Sequence, residues 1–284
     1  TTKHTYNQAF AIYALSSYYD VSGNKEALAL AQKLRDVVEE KCFDEVGYKE
    51  ALDIHFNPAE NDKLSENGVM ADRTMNTRLR VFEAYTELYR VSKDEIAATK
   101  LRWMMDLVAE KIYNPALHRQ EVFFDNNYTS LIDLHSYGHD IETAWLVDRG
   151  ASVLGDEAYI AKMAPITADL EQNVYKLAYS ENSFKNECER GVDDERRIWW
   201  VQAEAVVGFY NGWQKDNSKT HYLEAAENIW KFIQEKVVDK RPGSEWFSEV
   251  DVNGKPYMHK PILEPWKCPY HNGRMCLEMI KREK

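Results

Sequence analysis

Residues 9–34 read AFAIYALSSYYDVSGNKEALALAQKL: a helix, a short turn, and a second helix. Residues 79–105, LRVFEAYTELYRVSKDEIAATKLRWMM, follow the same plan, with Glu83-Ala84-Tyr85 standing where Ile12-Tyr13-Ala14 stand in the first copy. Residues 143–166, TAWLVDRGASVLGDEAYIAKMAPI, and residues 203–233, AEAVVGFYNGWQKDNSKTHYLEAAENIWKFI, repeat it twice more. Each copy has a small-residue-rich first helix, a turn with Gly, Asp, Asn or Ser, and a second helix carrying Ala and charge. Residues 271–280 read as the first helix of a fifth copy.

Spacing decides what kind of repeat this is. Tyr85 follows Tyr13 by 72 residues and Phe209 follows Leu146 by 63. A plain helical-hairpin repeat is about 34 residues long. The excess lies between copies, in residues 46–50 (VGYKE), 120–124 (QEVFF) and 246–250 (WFSEV), which read as strands or hairpins. Asn253-Gly254 is a turn signal for the last of them.

First helices are apolar and expected to be buried, and second helices amphipathic. An inner ring of helices wrapped by an outer ring satisfies both. The fold class is therefore all-α, a toroid of the (α/α)6 type with short β-hairpins in its loops. Residues 1–284 read as a single domain. Four pairs and one further helix make nine, against twelve in a closed ring. About three helices are expected to be lacking, on the N-terminal side. Long loops then gather at one end of the inner ring, where binding residues concentrate. An incomplete ring exposes inner-helix surface, so self-association is expected.

Of the 284 residues 44% are hydrophobic, enough for a large core, and the net charge is −11. That charge disfavours nucleic acid, whose binding depends on neutralising phosphates. It also offers no basic patch to an anionic membrane. No apolar run approaches the roughly 20 residues needed to span a bilayer, and no signal peptide is evident. Cys42, Cys188, Cys268 and Cys276 are scattered, without zinc spacing. Free thiols in a cytoplasmic setting are the expectation.

Four clusters carry chemistry. In the first, His139, Glu142 and Trp145 fall at i, i+3 and i+6 behind Gly138, on nearly one side of a helix start. A carboxylate one turn from an imidazole suits acid–base work. The alternatives are a structural hydrogen bond, or two metal ligands as in carboxylate-bridged bundles. No second such pair is present, and no metal is expected. In the second, Trp199 and Trp200 precede Glu204 at the start of an apolar helix. A carboxylate there must be paired or functional, since burying a lone charge is costly. The tryptophans could stack on sugar rings or simply fill the core. In the third, His271 takes the same loop-to-helix position as His139, after the irregular stretch at Trp266 and Pro269. In a toroid both histidines face one cavity. In the fourth, Asn76, Arg80 and Glu83 share a face. Arg80 there meets a substrate anion or pairs with Glu83.

The combination of Ser136-Tyr-Gly-His139-Asp-Ile-Glu142-Thr-Ala-Trp145, Trp199-Trp200-x-Gln202-Ala-Glu204 and Tyr270-His271-Asn-Gly-Arg274 resembles the N-acylglucosamine 2-epimerase superfamily, over essentially the whole chain. The resemblance implies an (α/α)6 barrel that epimerises or isomerises free sugars without a metal or other cofactor. Members that act on β-1,4-linked disaccharides such as cellobiose invert C2 of the reducing-end glucose. Carried over, His139 and His271 would be the acid–base pair, with Glu142 orienting His139. Trp145, Trp199, Trp200 and Glu204 would hold the sugar. Tyr6 falls on the first recognisable inner helix, and Tyr6, Asn76 and Arg80 join the substrate-binding set. Arg80 stands where the family carries a histidine; it could stabilise an enediolate but cannot shuttle a proton. The competing readings are another sugar isomerase, a glycoside hydrolase using Glu142 and Glu204, and a non-catalytic or weakly active sugar-binding remnant.

Overall fold

Three of the helical hairpins turn in the same way. A residue in the left-handed region ends the first helix, and an Asn or Asp beside it starts the second. Gly23 has φ 67° and Lys93 φ 55°, and each donates its N–H to the helix it closes, at Tyr19 O and Tyr89 O. Asn24 then accepts from the N–H groups of Glu26 and Ala27, and Asp94 from that of Ala97. Gly155, φ 69°, is followed in the same way by Asp156, which accepts from Ala158 N. Side-chain capping of this kind stabilises a helix by about 1 kcal/mol.

The structure, a computed structural model, describes residues 2–61, 63 and 67–283. Among them are nine α-helices: α1 (Thr5–Ser22), α2 (Lys25–Val37), α3 (Met75–Ser92), α4 (Glu95–Leu107), α5 (Tyr137–Leu154), α6 (Glu157–Leu177), α7 (Trp199–Lys215), α8 (Thr220–Phe232) and α9 (Tyr270–Arg282). These match the four pairs and the further helix expected from the repeat. After α2, α4 and α8 the helix widens into one π turn: Val38–Cys42, Val108–Ile112 and Ile233–Val237. Each π turn carries a Glu-Lys or Glu-Glu-Lys step, a repeat signal that hydrophobic spacing alone does not reveal.

The chain forms two compact units. One comprises Thr1–Asp133 with Leu146–Ile166, and the other Leu134–Trp145 with Thr167–Lys284. In the first, α1 packs on α2 and α3, and α3 packs on α4. In the second, α7 packs on α8 and α9. No helix among the described residues is long and apolar enough to cross a membrane.

Short strands lead into the first helices. Lys3–His4 pairs with Ala51–Leu52, Arg73–Thr74 with Phe123–Phe124, Leu134–Ser136 with Glu187–Glu189, and Arg197–Ile198 with Glu249–Val250, all antiparallel. The expected strands at 120–124 and 246–250 are thus partly realised, each paired to a helix entry as well as to nearby residues. Local hairpins do occur, as at Tyr113–Asn114 with Arg119–Gln120. Residues 46–50 are not a strand: Tyr48 makes one isolated bridge to Phe43. Glu50 there turns inward, accepting from Thr74 N at 2.6 Å and Thr77 Oγ1 at 2.6 Å. Burial pushes its carboxyl up to about 7 despite those two bonds.

Burial of the first helices is uneven. α3 and α7 are covered nearly all along their length. α1 buries only Thr5, Ala9, Ile12 and Ser16, the line that meets its neighbours. Its apolar composition predicted more, but burial depends on what packs against a helix as well as on its own residues. Nor is α3 purely apolar, since Arg78, Arg80, Glu83 and Glu87 are all buried in it. Burial alone would push the Glu87 carboxyl up, but Arg90 and Arg149 hold it at about 2.

Candidate active site

The second unit brings the starts of α5, α7 and α9 together. The strand Leu134–Ser136 delivers the chain into α5, where Gly138 allows close approach. A Cβ on Gly138 would lie 2.6 Å from Trp200 Cη2, so any larger residue would force the indole away. Gly208 does the same further along α7, where a Cβ would lie 2.4 Å from Ile141. These contacts set Trp200, half-buried, beside His139, with ring centroids 4.7 Å apart. The His139 Nδ1 lies 2.8 Å from Ser136 Oγ, which fixes the ring at the helix entry.

His271 opens α9 and packs on the same indole, with its centroid 5.4 Å from that of Trp200 and 5.4 Å from that of Trp199. Its Nδ1 is 2.6 Å from Glu204 Oε1. The other oxygen of Glu204 accepts from Trp145 Nε1 at 2.9 Å. Glu204 is 1% exposed and Trp145 1% exposed. A carboxylate at such depth survives because several donors answer it.

Arg274, one turn after His271, completes the cluster. Its Nη2 donates to Glu142 Oε1 at 2.5 Å and to Glu204 Oε1 at 2.6 Å. Its Nη1 donates to the Tyr270 hydroxyl, and its guanidinium carbon lies 4.9 Å from the Trp145 ring centroid. Arg274 stands in the Tyr270–Arg274 motif of the sequence, where residue type alone assigns it no role. The available signal was its i+3 spacing from His271 on a helix whose start carries the imidazole.

The arrangement revises several expected roles. Glu142 meets Arg274, and the His271 Nδ1 lies 3.8 Å from Glu142 Oε1, while the His139 Nδ1 is held by Ser136. The carboxylate that orients a histidine here is Glu204, on His271. Trp145 is enclosed and spends its N–H on Glu204, so it supports that carboxylate in place of presenting a stacking face. Trp199 is buried against His271. Trp200 is the half-buried indole of the set.

His139, Glu142, Trp145, Trp199, Trp200, Glu204 and His271 all belong to the second unit. Tyr6, Asn76 and Arg80 belong to the first. Tyr6 is half-buried on α1, its ring 4.9 Å from that of Phe10. Arg80 donates to Asn76 Oδ1 at 3.2 Å and to Glu83 Oε2 at 3.2 Å, the internal ion pair weighed from the sequence.

Just upstream, His135 Nε2 lies 2.8 Å from Asp140 Oδ2, and the Tyr137 hydroxyl donates to Asp193 at 2.7 Å. Burial and the adjacent Asp193 push the Tyr137 phenol up, so it serves as a donor.

Glu142, Glu204 and His271 offer three ligand atoms within 4.8 Å of one another. Such a set could hold a divalent cation. Arg274 lies between both carboxylates, so the cluster already carries its own positive charge.

Two imidazoles, each held through Nδ1, are thus packed on one indole. The chain belongs to the N-acylglucosamine 2-epimerase (GlcNAc 2-epimerase) family of isomerases, which matches residues 1–272. It is 49% identical to the cellobiose 2-epimerase of Eubacterium cellulosolvens over 297 residues, covering 99% of this chain and 73% of that protein. It is 47% identical to the cellobiose 2-epimerase of Ruminococcus albus, covering 99% and 72%. Among solved structures it is similar to a sugar epimerase from a ruminal bacterium, at 46% identity and a TM-score of 0.97, covering 100% of this chain and 73% of that one. A D-mannose isomerase at 19% identity and a TM-score of 0.82 shares the fold.

Proposed function

We propose that the chain inverts C2 of the reducing-end glucose of a β-1,4-linked disaccharide such as cellobiose. The observation that carries this is the 2.6 Å bond from His271 Nδ1 to Glu204, made while His271 and His139 share the Trp200 ring. With Nδ1–H donated to Glu204, the His271 Nε2 lone pair is the basic position. The identity to cellobiose 2-epimerases supports the substrate class.

The chemistry starts from the open-chain aldehyde. A neutral imidazole takes the C2 proton, which the adjacent carbonyl acidifies. The electron pair moves into an enediolate. The second imidazole, protonated at the outset, returns a proton to the opposite face, and the two rings have exchanged roles. Glu204 steadies His271 in both states. Arg274 balances Glu204 and Glu142, so two buried carboxylates can stand side by side. The half-buried Trp200 provides the apolar floor, and Trp199 backs His271. In the first unit, Arg80 is held by Asn76 and Glu83 as a stationary cation.

The carboxylate geometry argues against an inverting hydrolase that uses Glu142 and Glu204. Inversion of a glycoside needs two carboxyl groups about 6.5–9.5 Å apart. Here Glu142 and Glu204 share one guanidinium nitrogen, and their oxygens lie within 4.8 Å. Nine helices among the described residues, and a match to 72–73% of the relatives' length, accord with nine of the twelve helices of an (α/α)6 ring. A cytoplasmic setting belongs to the proposal, supported by the four cysteines being free thiols, two of them exposed.

Incubation with cellobiose tests the reading. A mannose-ended disaccharide as product supports it. Free glucose points to hydrolysis, a fructose-ended disaccharide to aldose–ketose isomerisation, and unchanged sugar to a binding protein; each of those overturns it.

A further inference from the structure

Residues 238–269 form the connector between the last π turn and α9, far longer than the usual four to six residues. Such a segment holds a catalytic group in place only if it is fastened close to that group. The fastening is a buried lysine. Lys267 is 1% exposed, four residues before His271, and its ammonium pairs with Glu245 Oε2. The other oxygen of Glu245 accepts from Asn272 Nδ2, on the residue that follows His271. Lys267 Nζ also lies 5.0 Å from the centroid of Trp199, the ring that packs on His271. One carboxylate thus ties the end of the connector to the first turn of α9, and its lysine partner presses on the indole that backs the imidazole.

A lysine buried this deeply is costly unless paired and hydrogen-bonded. An apolar residue would hold the loop as well or better, so fold stability alone does not account for it. What the charge adds is direction. It fixes the Glu245 carboxylate so that its second oxygen meets Asn272, and it pins Trp199 by its face.

We propose that Glu245 and Lys267 are positioning residues for His271, a role that rests on the epimerase reading above. They touch neither sugar nor reacting atoms. They set where the imidazole stands, and displacement by about 1 Å costs on the order of 100-fold in rate.

The test compares Glu245→Ala, Glu245→Gln and Lys267→Met with the wild type on cellobiose. Glu245→Ala and Lys267→Met are expected to lower kcat by about 10- to 100-fold with KM changed less than about three-fold, because the sugar-binding surface is intact. Glu245→Gln keeps an acceptor for Asn272 and is expected to retain more of kcat than Glu245→Ala. Melting curves identify any variant that fails to fold, and Glu245→Gln, the mildest change, then carries the comparison. Unchanged kcat in folded variants, or a fall in kcat/KM carried by KM alone, overturns the proposal. Imidazole NMR signals provide a readout without substrate: those of His271 are expected to shift in Glu245→Ala and Lys267→Met while those of His139 stay in place. An unmoved His271 signal overturns the positioning role. A wild type that leaves cellobiose untouched overturns the functional reading instead, and the NMR result still decides the positioning.

Discussion

α3 and α7 are both enclosed along most of their length, and Arg80 on α3 and Glu204 on α7 are two charges held at depth in different company. On α3, Arg80 is answered by Asn76 and Glu83, four and three residues away on its own helix. On α7, Glu204 is answered by Trp145 of α5 and by His271 and Arg274 of α9. The first arrangement includes partners one turn away on the same helix. The second uses a charge to gather groups from three helices around one point. A buried charge that draws an imidazole and a guanidinium from another helix is the stronger mark of a site, because the chain must bring distant segments into register to keep it.

The largest effect is expected at the gathered cluster. His271→Ala removes one proton-transfer group, and epimerase kcat is expected to fall about 1,000-fold, within the range for acid–base groups. Steady-state rates on cellobiose measure this. On α3 the signature is stability. Arg80→Met removes a cation that donates to buried Glu83, which is expected to cost about 3 kcal/mol in denaturant unfolding. The double change Arg80→Met/Glu83→Met is expected to recover most of that. Failure of the double variant to regain stability would break the contrast between the two helices.

Glu204→Gln comes next. It keeps the shape but weakens the hold on His271 and leaves Arg274 less well balanced, so kcat is expected to drop about 100-fold with a smaller change in KM. The smallest effect concerns Glu50, at the entry to α3. Its carboxyl is raised to about 7, so the folded state holds a proton that the unfolded chain releases near pH 4.5. Stability from this group is full below pH 4.5 and declines as pH rises toward 7. Glu50→Gln is expected to flatten that decline, seen as a melting temperature that falls by fewer degrees between pH 5 and pH 8 than in the wild type.

Much of the helical plan is legible in the sequence, because three of the hairpins place an Asn or Asp cap directly after a left-handed residue. Residues 46–50 mislead. Tyr48 and Val46 suggest a strand, but Glu50 is drawn to the start of α3 by Thr74 and Thr77, a contact 24 to 27 residues away. The site is legible residue by residue and not in its pairing. Glu142 lies three residues from His139, so local spacing suggests that pair. Its partner Arg274 is 132 residues away, and only the fold brings them within 2.5 Å. Trp145 reads as a sugar platform because of its type, and packing instead turns its N–H onto Glu204.

The most direct test follows hydrogen at C2 in heavy water. Wild-type protein is expected to turn cellobiose into a mannose-ended product carrying one deuterium at C2. His271→Ala and His139→Ala are each expected to lose inversion, because proton removal and return on opposite faces need both rings. Product that keeps its original C2 hydrogen, or either variant inverting C2 at the wild-type rate, would contradict two-histidine proton transfer.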